Sequence, residues 1–212
     1  MNMKLFLSSL ILIHCLLGGL VAEELLGSMS FDTRKPPMVG LLMFPEDKSL
    51  TEVDIVDQKD KAFTKLLYVA PPKAKMKFKN SDSISHNIFS KSSELNVDFD
   101  FGLMATGSEF QKEVTWADGG VVKLNCKIHP MMVSYIACLQ TKYYRVVEIK
   151  GEKELSFIMD NVPEKFKKVR FWMPSYKTIE FELGTQKEFE FDLVRETSPD
   201  RVRGKLKIVH KG

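Results

Sequence analysis

The sequence is poor in the residues on which several classes of protein depend. Three cysteines in 212 residues are too few for a domain held together by disulfide bonds. The 31 basic and 28 acidic residues nearly balance, and they form no basic block of the kind that a dedicated nucleic-acid binder carries. We therefore expect no nucleic-acid partner. Apolar residues still make up 44% of the chain, enough to bury a core, which argues against global disorder.

Long hydrophobic runs are also scarce, and the single one lies at the N-terminus. Lys4 precedes a strongly apolar stretch over residues 5–20, and the chain offers a cleavage site after Ala22. The stretch is short for a membrane span, which needs about 20 apolar residues. We predict that residues 1–22 are a signal peptide, that the protein is periplasmic or otherwise exported, and that no stable membrane span remains after cleavage. An uncleaved N-terminal anchor is the alternative.

Helical periodicity is nearly absent, and apolar residues instead alternate with polar ones at a period of two. Ala74, Met76 and Phe78, for example, alternate with lysines. Many short strands separated by turn residues are typical of sandwiches and barrels, so the sequence predicts an all-β protein. We expect strands at 39–44, 52–58, 64–70, 73–79, 85–91, 109–116, 121–126, 134–140, 143–149, 153–160, 167–174, 179–183, 188–193 and 203–210.

Fourteen predicted strands are more than one small sandwich contains. We therefore place a domain boundary near Thr141. Residues 36–141 are predicted to form one β-sandwich and residues 142–212 a smaller one. Because no Gly/Ser-rich or Pro-rich linker separates them, we expect the two to pack closely. Near the C-terminus, the three-residue loop 184–186 contains a glycine and predicts a hairpin between the strands on either side.

The segment with the most chemical content is residues 126–132, which begins where a predicted strand ends. Strand alternation places Cys126 on the core face, so its thiol should point inward. His129 lies in the following loop, where Pro130 restricts the backbone. His86 opens another strand forty residues upstream, and a sandwich can bring the two segments together.

One thiolate, two imidazoles and a nearby thioether form the donor set of a blue-copper site. Soft sulfur ligands suit Cu(I), and imidazole suits both oxidation states. A trigonal Cys-His-His set with a long axial bond to methionine lets the metal change charge with little change in geometry. The pattern therefore points to an electron-transfer site.

Other interpretations of these residues stay open at this stage. A lone buried cysteine most often serves packing, and zinc also binds one cysteine and two histidines. A disulfide between Cys126 and Cys138 would consume the thiolate, although Cys138 fits a core position better. His210, the third residue from the C-terminus, is expected at the surface.

At these residues the chain resembles the cupredoxins, the blue-copper family, including the plastocyanin- and amicyanin-like proteins described as methylamine utilisation proteins. The Cys-x-x-His-Pro-x-Met spacing of residues 126–132 carries the likeness, together with the segments 85–90 and 99–102. The resemblance covers about residues 37–174. It implies a Greek-key β-sandwich that binds one copper ion, and it implies that Asn87 lies behind the ligands and pins the two ligand segments together.

The second part of the chain has a likeness of its own. Residues 144–174 are similar to the small regulatory β-sandwich attached to carboxypeptidases, with Asn161-Val162-Pro163 carrying the likeness. This resemblance implies a structural or docking module without chemistry of its own.

Taken together, the residues and the resemblance predict an exported type 1 copper protein. His86, Cys126 and His129 are the expected equatorial ligands, and Met132 the weak axial one. The single copper ion would alternate between Cu(I) and Cu(II), and the partners would be redox proteins.

We expect no enzyme, since the sequence has no Ser-His-Asp arrangement or phosphate loop, and four histidines are too few for a multicopper centre. The alternatives are a periplasmic copper carrier or sensor, and a binding module with a vestigial metal site.

Overall fold

The computed structural model describes residues 22–211, so the predicted signal peptide lies outside the described residues apart from Ala22. Within that range the chain is built from β-strands, and the all-β prediction is confirmed. Residues 22–211 contain no helix of the length and apolar character that a membrane-spanning helix needs. The strands are β1 (Ala22–Phe31), β2 (Val39–Met43), β3 (Val56–Lys59), β4 (Ala62–Phe63), β5 (Tyr68–Ala70), β6 (Lys75–Asn80), β7 (His86–Ser92), β8 (Val97–Met104), β9 (Glu109–Glu113), β10 (Val121–Asn125), β11 (Val133–Cys138), β12 (Tyr144–Glu148), β13 (Glu154–Pro163), β14 (Lys168–Trp172), β15 (Ile179–Glu182), β16 (Glu188–Arg195) and β17 (Ser198–Lys211).

The strands form four sheets. Sheet I has the order β4-β3-β6-β9, and sheet II has the order β5-β11-β10-β7-β8. Sheet III has the order β12-β2-β14-β15, and sheet IV has the order β13-β1-β17-β16. Most neighbouring strands run antiparallel, but β5 pairs with β11, and β3 with β6, in parallel. Parallel pairs at these positions mean that the connections cross between sheets, as in sandwiches whose strands are not joined by simple hairpins.

Three hydrophobic cores separate the four sheets. The first lies between sheets I and II and contains Met76 and Phe78 from one side and Ile88 and Leu124 from the other. The middle core lies between sheets II and III, and the third lies between sheets III and IV. The molecule therefore consists of two β-sandwiches, and their facing sheets, II and III, pack together through the middle core.

The middle core explains why some strands lack the alternation of polar and apolar residues. All five residues of β2 are buried, because Leu41 faces sheet II while Leu42 faces sheet IV. Strand β11 is similar: Ile136 belongs to the first core and Ala137 to the middle core. Strands covered on both faces read as continuous apolar runs, as expected for the interior of a stack of sheets.

Two strands cross the domain division that was predicted near Thr141. Strand β2, which that division assigns to residues 36–141, pairs with β12 and β14 of the C-terminal sandwich. Strand β1, which was assigned to neither sandwich, lies between β13 and β17. The C-terminal sandwich thus takes two strands from the N-terminal end of the chain. The division into domains of residues 36–141 and 142–212 stays a prediction.

The predicted hairpin around loop 184–186 is wrong. Strand β15 pairs with β14 in sheet III, and β16 pairs with β17 in sheet IV, so the loop connects two different sheets. The apolar faces of both strands are the reason. Phe181 on β15 packs against Phe189 and Phe191 on β16, with ring centroids 4.8 and 5.0 Å apart, and this contact lies in the core between the sheets.

The expectation that His210 lies at the surface is also wrong. His210 is 3% exposed, and its Nε2 lies 2.9 Å from a carboxylate oxygen of Glu23 on β1. Strand β17 runs inside sheet IV, and alternation places His210 on the same core face as Leu206 and Ile208. The predicted strand over residues 203–210 already includes His210, and its alternation favours burial at that position.

Candidate metal centre

Three of the predicted ligands meet at one edge of sheet II. Strands β7 and β10 are antiparallel neighbours, with Asn125 opposite Phe89, so the start of β7 lies beside the end of β10. His86 is the first residue of β7, and Cys126 directly follows β10. His129 comes from the loop between β10 and β11. The topology of the sheet therefore brings together residues that are forty positions apart in the chain.

The donor atoms of these residues lie close enough to share one metal ion. Nδ1 of His86 is 3.0 Å from Nδ1 of His129, and Sγ of Cys126 is 3.9 Å from the same nitrogen. All three donor atoms lie within 4.8 Å of one another. Bonds of about 2.0 Å to nitrogen and 2.3 Å to sulfur, as zinc makes, place donor atoms about 3.3–4 Å apart. The observed distances bracket that range, so the three residues fit a metal ion with a trigonal donor set.

Burial differs among the three candidate ligands. His86 is fully buried and Cys126 is 2% exposed, whereas His129 is partly exposed at the surface. Protein therefore covers His86 and Cys126, and of the three residues only His129 is exposed to solvent. Such an arrangement holds a metal ion away from bulk water while one ligand stays in reach of another molecule.

Asp82 orients His86. Its Oδ2 lies 2.8 Å from Nε2 of His86 and also accepts a hydrogen bond from the backbone N–H of Lys61 at 2.8 Å. The Lys61 N–H and the His86 imidazole together hold the pKa of the Asp82 carboxyl well below its usual range. An ionised carboxylate only accepts hydrogen bonds, so Nε2 of His86 carries the proton and Nδ1 turns its lone pair toward Cys126 and His129.

Asn87 forms four hydrogen bonds, two with the Cys126 segment and two with strand β8. Its backbone N–H donates to Sγ of Cys126 at 3.4 Å, and its side-chain oxygen accepts from the backbone N–H of Lys127 at 3.2 Å. Its side-chain nitrogen donates to Asp100 Oδ1 at 2.6 Å and to the carbonyl of Gly102 at 2.9 Å. One buried amide thus fixes the Cys126 loop and strand β8 relative to β7.

Asp100 completes this network on the exposed side. Its carboxylate accepts hydrogen bonds from Lys127 Nζ, from the Gly102 N–H and from Asn87. These donors lower the pKa of Asp100 to about 2, and the hydrogen bond from Lys127 has the largest effect. Because folding lowers the pKa of Asp100, its ionised carboxylate stabilises the fold at pH values above the ordinary carboxyl pKa. This contribution is lost as the pH falls toward about 2. The network is therefore intact at neutral pH.

The ligand loop is a tight turn that separates its two methionines. The backbone N–H of Met132 donates to the carbonyl of His129 at 2.9 Å, with Pro130 at the second turn position that proline favours. Met131 at the tip is 93% exposed. Met132 is 3% exposed and belongs to the same core cluster as Cys126.

The second cysteine of the described chain is not part of the centre. Cys126 and Cys138 are both free thiols and both buried, so no disulfide links them. Burial, with a smaller effect of Asp118, raises the pKa of Cys138 to about 12. A thiol that stays protonated is a poor metal ligand, because the thiolate is the binding form. Cys138 therefore acts as a core residue.

Sequence reasoning proposed the three residues that the structure brings together but missed Asp82. The residue lies in the turn between β6 and β7, where aspartate is common for local reasons. The available signal was its spacing, four residues before His86, at the entry to the strand that carries the ligand. Asp100 was likewise seen only as part of a similar segment, without a role.

Similarities to known proteins were found among solved structures. No protein-family model and no curated protein matches the chain. The chain is similar to a purple cupredoxin from Nitrosopumilus maritimus, with 22% identity over 46% of this chain and 96% of that chain and a TM-score of 0.32. It is similar to amicyanin from Paracoccus versutus, with 13% identity over 52% of this chain and 96% of that chain and a TM-score of 0.35.

A further similarity is to a larger protein. The copper-containing nitrite reductase of Thermus scotoductus matches 39% of this chain and 21% of its own length, at 19% identity and a TM-score of 0.35. Because these TM-scores lie below 0.5, the assignment of a candidate metal centre rests on the donor atoms of this chain.

Proposed function

We propose that the chain is a type 1 copper protein that transfers single electrons between redox partners. One observation carries the proposal: a buried thiol and two imidazole nitrogens lie within 4.8 Å of one another at the edge of a β-sandwich. Copper, when bound, supplies a one-electron couple between Cu(I) and Cu(II). A zinc site with the same three residues would also be consistent with the donor set, and the experiment below distinguishes the two metals.

The protein's own residues limit rearrangement at this centre. Asp82 fixes the ring of His86, and Asn87 fixes the position of Cys126 through its N–H bond to the sulfur. Both are buried, and both are hydrogen-bonded to backbone groups of other segments. A donor set held in this way keeps its geometry when the charge of the site changes, which favours electron transfer.

A docking surface for a redox partner surrounds His129. Met131 is 93% exposed, Ile128 is 48% exposed, and Leu103 on β8 is 69% exposed beside Asn87. Apolar residues exposed around a partly exposed ligand suit a short-lived contact, since a small interface can form and separate quickly. We propose that the partner is a redox protein that approaches the His129 edge.

The buried ligands favour electron transfer over copper delivery. A carrier needs an open site from which the metal leaves readily, whereas His86 and Cys126 are closed to solvent. We also propose that the protein is exported, on the strength of the signal-like residues 1–22. A copper dissociation rate slower than the rate of redox cycling would support the electron-transfer role over the carrier role.

Addition of Cu(II) to the purified protein tests the proposal. We expect one copper ion per chain and an intense thiolate-to-copper absorption toward the red end of the visible range. Ascorbate should remove the colour, and reoxidation should restore it. Full copper loading without colour would contradict a blue site, and preferential binding of zinc without redox cycling would favour a structural metal.

The two neighbouring methionines should differ in their effect on the centre. Met132 is buried in the core with Cys126, while Met131 is exposed at the turn tip, so we expect Met132 to be the axial ligand. A weak axial thioether tunes the reduction potential more than it holds the metal. Met132→Gln should therefore shift the potential and the spectrum while copper still binds.

Met131→Gln is the matched control, because it makes the same change one residue away. We expect its spectrum and potential to stay close to those of the unmodified protein. Visible absorption and voltammetry of the two variants measure the difference. A larger shift for Met131→Gln would reverse the assignment.

A further inference from the structure

A cavity of about 630 Å³ lies where the two sandwiches meet, beside the metal-ligand loop. Its wall includes Met132 and Tyr135 from the first sandwich and Tyr176 from the loop after β14. Residues of the connection between β1 and β2, including Pro36, close another side. Cavities of roughly 300–1,000 Å³ with apolar and aromatic walls are typical of small-molecule sites, often where two domains meet.

The charged residues of this cavity are all of one sign. Lys35, Lys61 and Arg195 line it, and no carboxylate is found among the described residues of its wall. None of the three makes a salt bridge within residues 22–211, although acidic partners neutralise many other surface lysines there, such as Lys65 by Asp54. The cavity therefore combines apolar walls with a local excess of positive charge, which favours an anion.

Two polar groups in the wall lack hydrogen-bond partners in the described chain. The hydroxyl of Tyr176 is one of them, and Tyr176 is 2% exposed. Nε of Arg195 is the other, and the guanidinium of Arg195 lies 5.6 Å from the centre of the Tyr176 ring. Both groups are hydrogen-bond donors, and buried donors without acceptors are unfavourable. Both atoms are themselves covered by protein, so an anion in the cavity would be bound by the terminal guanidinium nitrogens of Arg195.

We infer that this cavity binds a small organic anion with an aromatic or otherwise apolar body, such as a carboxylate or sulfonate. The apolar walls bury the body of the ligand, and Arg195, with Lys35 and Lys61, binds its anionic group. The ring of Tyr176, 5.6 Å from the guanidinium of Arg195, positions that cation. The cavity adjoins the metal centre at Met132, but the anion is bound by Arg195, Lys35 and Lys61, so the inference does not depend on which metal that centre binds.

A pair of fluorescent probes tests the inference in the full chain with a metal chelator present. The probe 8-anilinonaphthalene-1-sulfonate has an aromatic body and one negative charge, and N-phenyl-1-naphthylamine has nearly the same body without the charge. We expect the sulfonate to bind saturably at one site per chain. We expect the uncharged probe to bind about tenfold more weakly, as loss of a charge-assisted hydrogen bond implies.

Matched variants locate the binding site of the probe. Arg195→Gln should weaken binding of the sulfonate about tenfold and leave the uncharged probe unaffected. Arg201→Gln removes the same charge from an exposed arginine outside the cavity and should change neither affinity. Circular dichroism of each variant checks that the fold is intact, since partly folded proteins also bind the sulfonate. If Arg195→Gln does not fold, Lys61→Gln at an exposed turn replaces it, with a smaller expected loss.

Three results would overturn the inference. The first is sulfonate binding that does not saturate at one site. The second is equal affinity for the two probes, which would mean that an apolar surface alone is responsible. The third is unchanged sulfonate affinity in both Arg195→Gln and Lys61→Gln.

Discussion

Replacing Cys126 with serine should abolish the visible colour of the copper-loaded protein. The absorption arises from charge transfer between a thiolate and Cu(II), and a serine hydroxyl is a poor copper ligand that stays protonated at neutral pH. Cys126 is 2% exposed, and serine is close to it in size, so the fold should persist. We expect the intense band to disappear and copper affinity to fall by a factor of at least about 100, the upper end of what loss of even an outer-shell partner costs.

Cys138→Ala provides the control for this experiment. Cys138 is also a buried free cysteine, but it lies in the interior of sheet II and its thiol stays protonated, since burial raises its pKa to about 12. The variant should keep the full colour, with some loss of stability from the shortened core side chain. Colour that survives Cys126→Ser, or that is lost in Cys138→Ala, would contradict the assignment of the thiolate ligand.

Alternation of side chains made much of the first sandwich predictable from the sequence. Strands such as β6 and β10 carry one face toward a core and the other toward solvent, and period-two reading finds them directly. The same reading placed Cys126 toward the core. His86 followed because few histidines are present and one of them opens a strand.

The arrangement of the strands was less predictable, for a physical reason. Alternation says which face of a strand is buried, but it does not say which other strand covers that face. Strand β2 is buried on both faces and pairs with strands more than one hundred residues away, and β1 lies directly after a segment with signal-peptide features. The crossing of these strands into the C-terminal sandwich depends on long-range pairing that no local pattern records.

The same limitation affected the metal centre. Candidate donors could be proposed from their chemistry, because cysteine, histidine and methionine are rare and their spacing is informative. The groups that orient the donors are aspartate and asparagine, which are common in turns for unrelated reasons. Asp82 was identified only when the structure placed its carboxylate 2.8 Å from the His86 ring.

Replacing Asp82 with asparagine should therefore weaken the metal centre without removing any ligand. Asparagine has nearly the same shape, and its oxygen can still accept the hydrogen bond from the Lys61 N–H. It cannot supply the negative charge that fixes the tautomer of His86 and raises the basicity of Nδ1. Loss of such an outer-shell partner typically costs about 10–100-fold in metal affinity. Competition titrations against a chelator of known copper affinity measure this loss.

The reduction potential should change in a defined direction. A carboxylate close to the metal stabilises the more highly charged Cu(II) relative to Cu(I), so removing its charge should raise the potential. Asp98→Asn is the matched control, because Asp98 is exposed on β8 and pairs only with Lys91 at the surface. It should change neither affinity nor potential, since exposed ion pairs contribute little. If Asp82→Asn behaves like Asp98→Asn in both measurements, packing of the sandwich alone orients His86 and the carboxylate has no role at the centre.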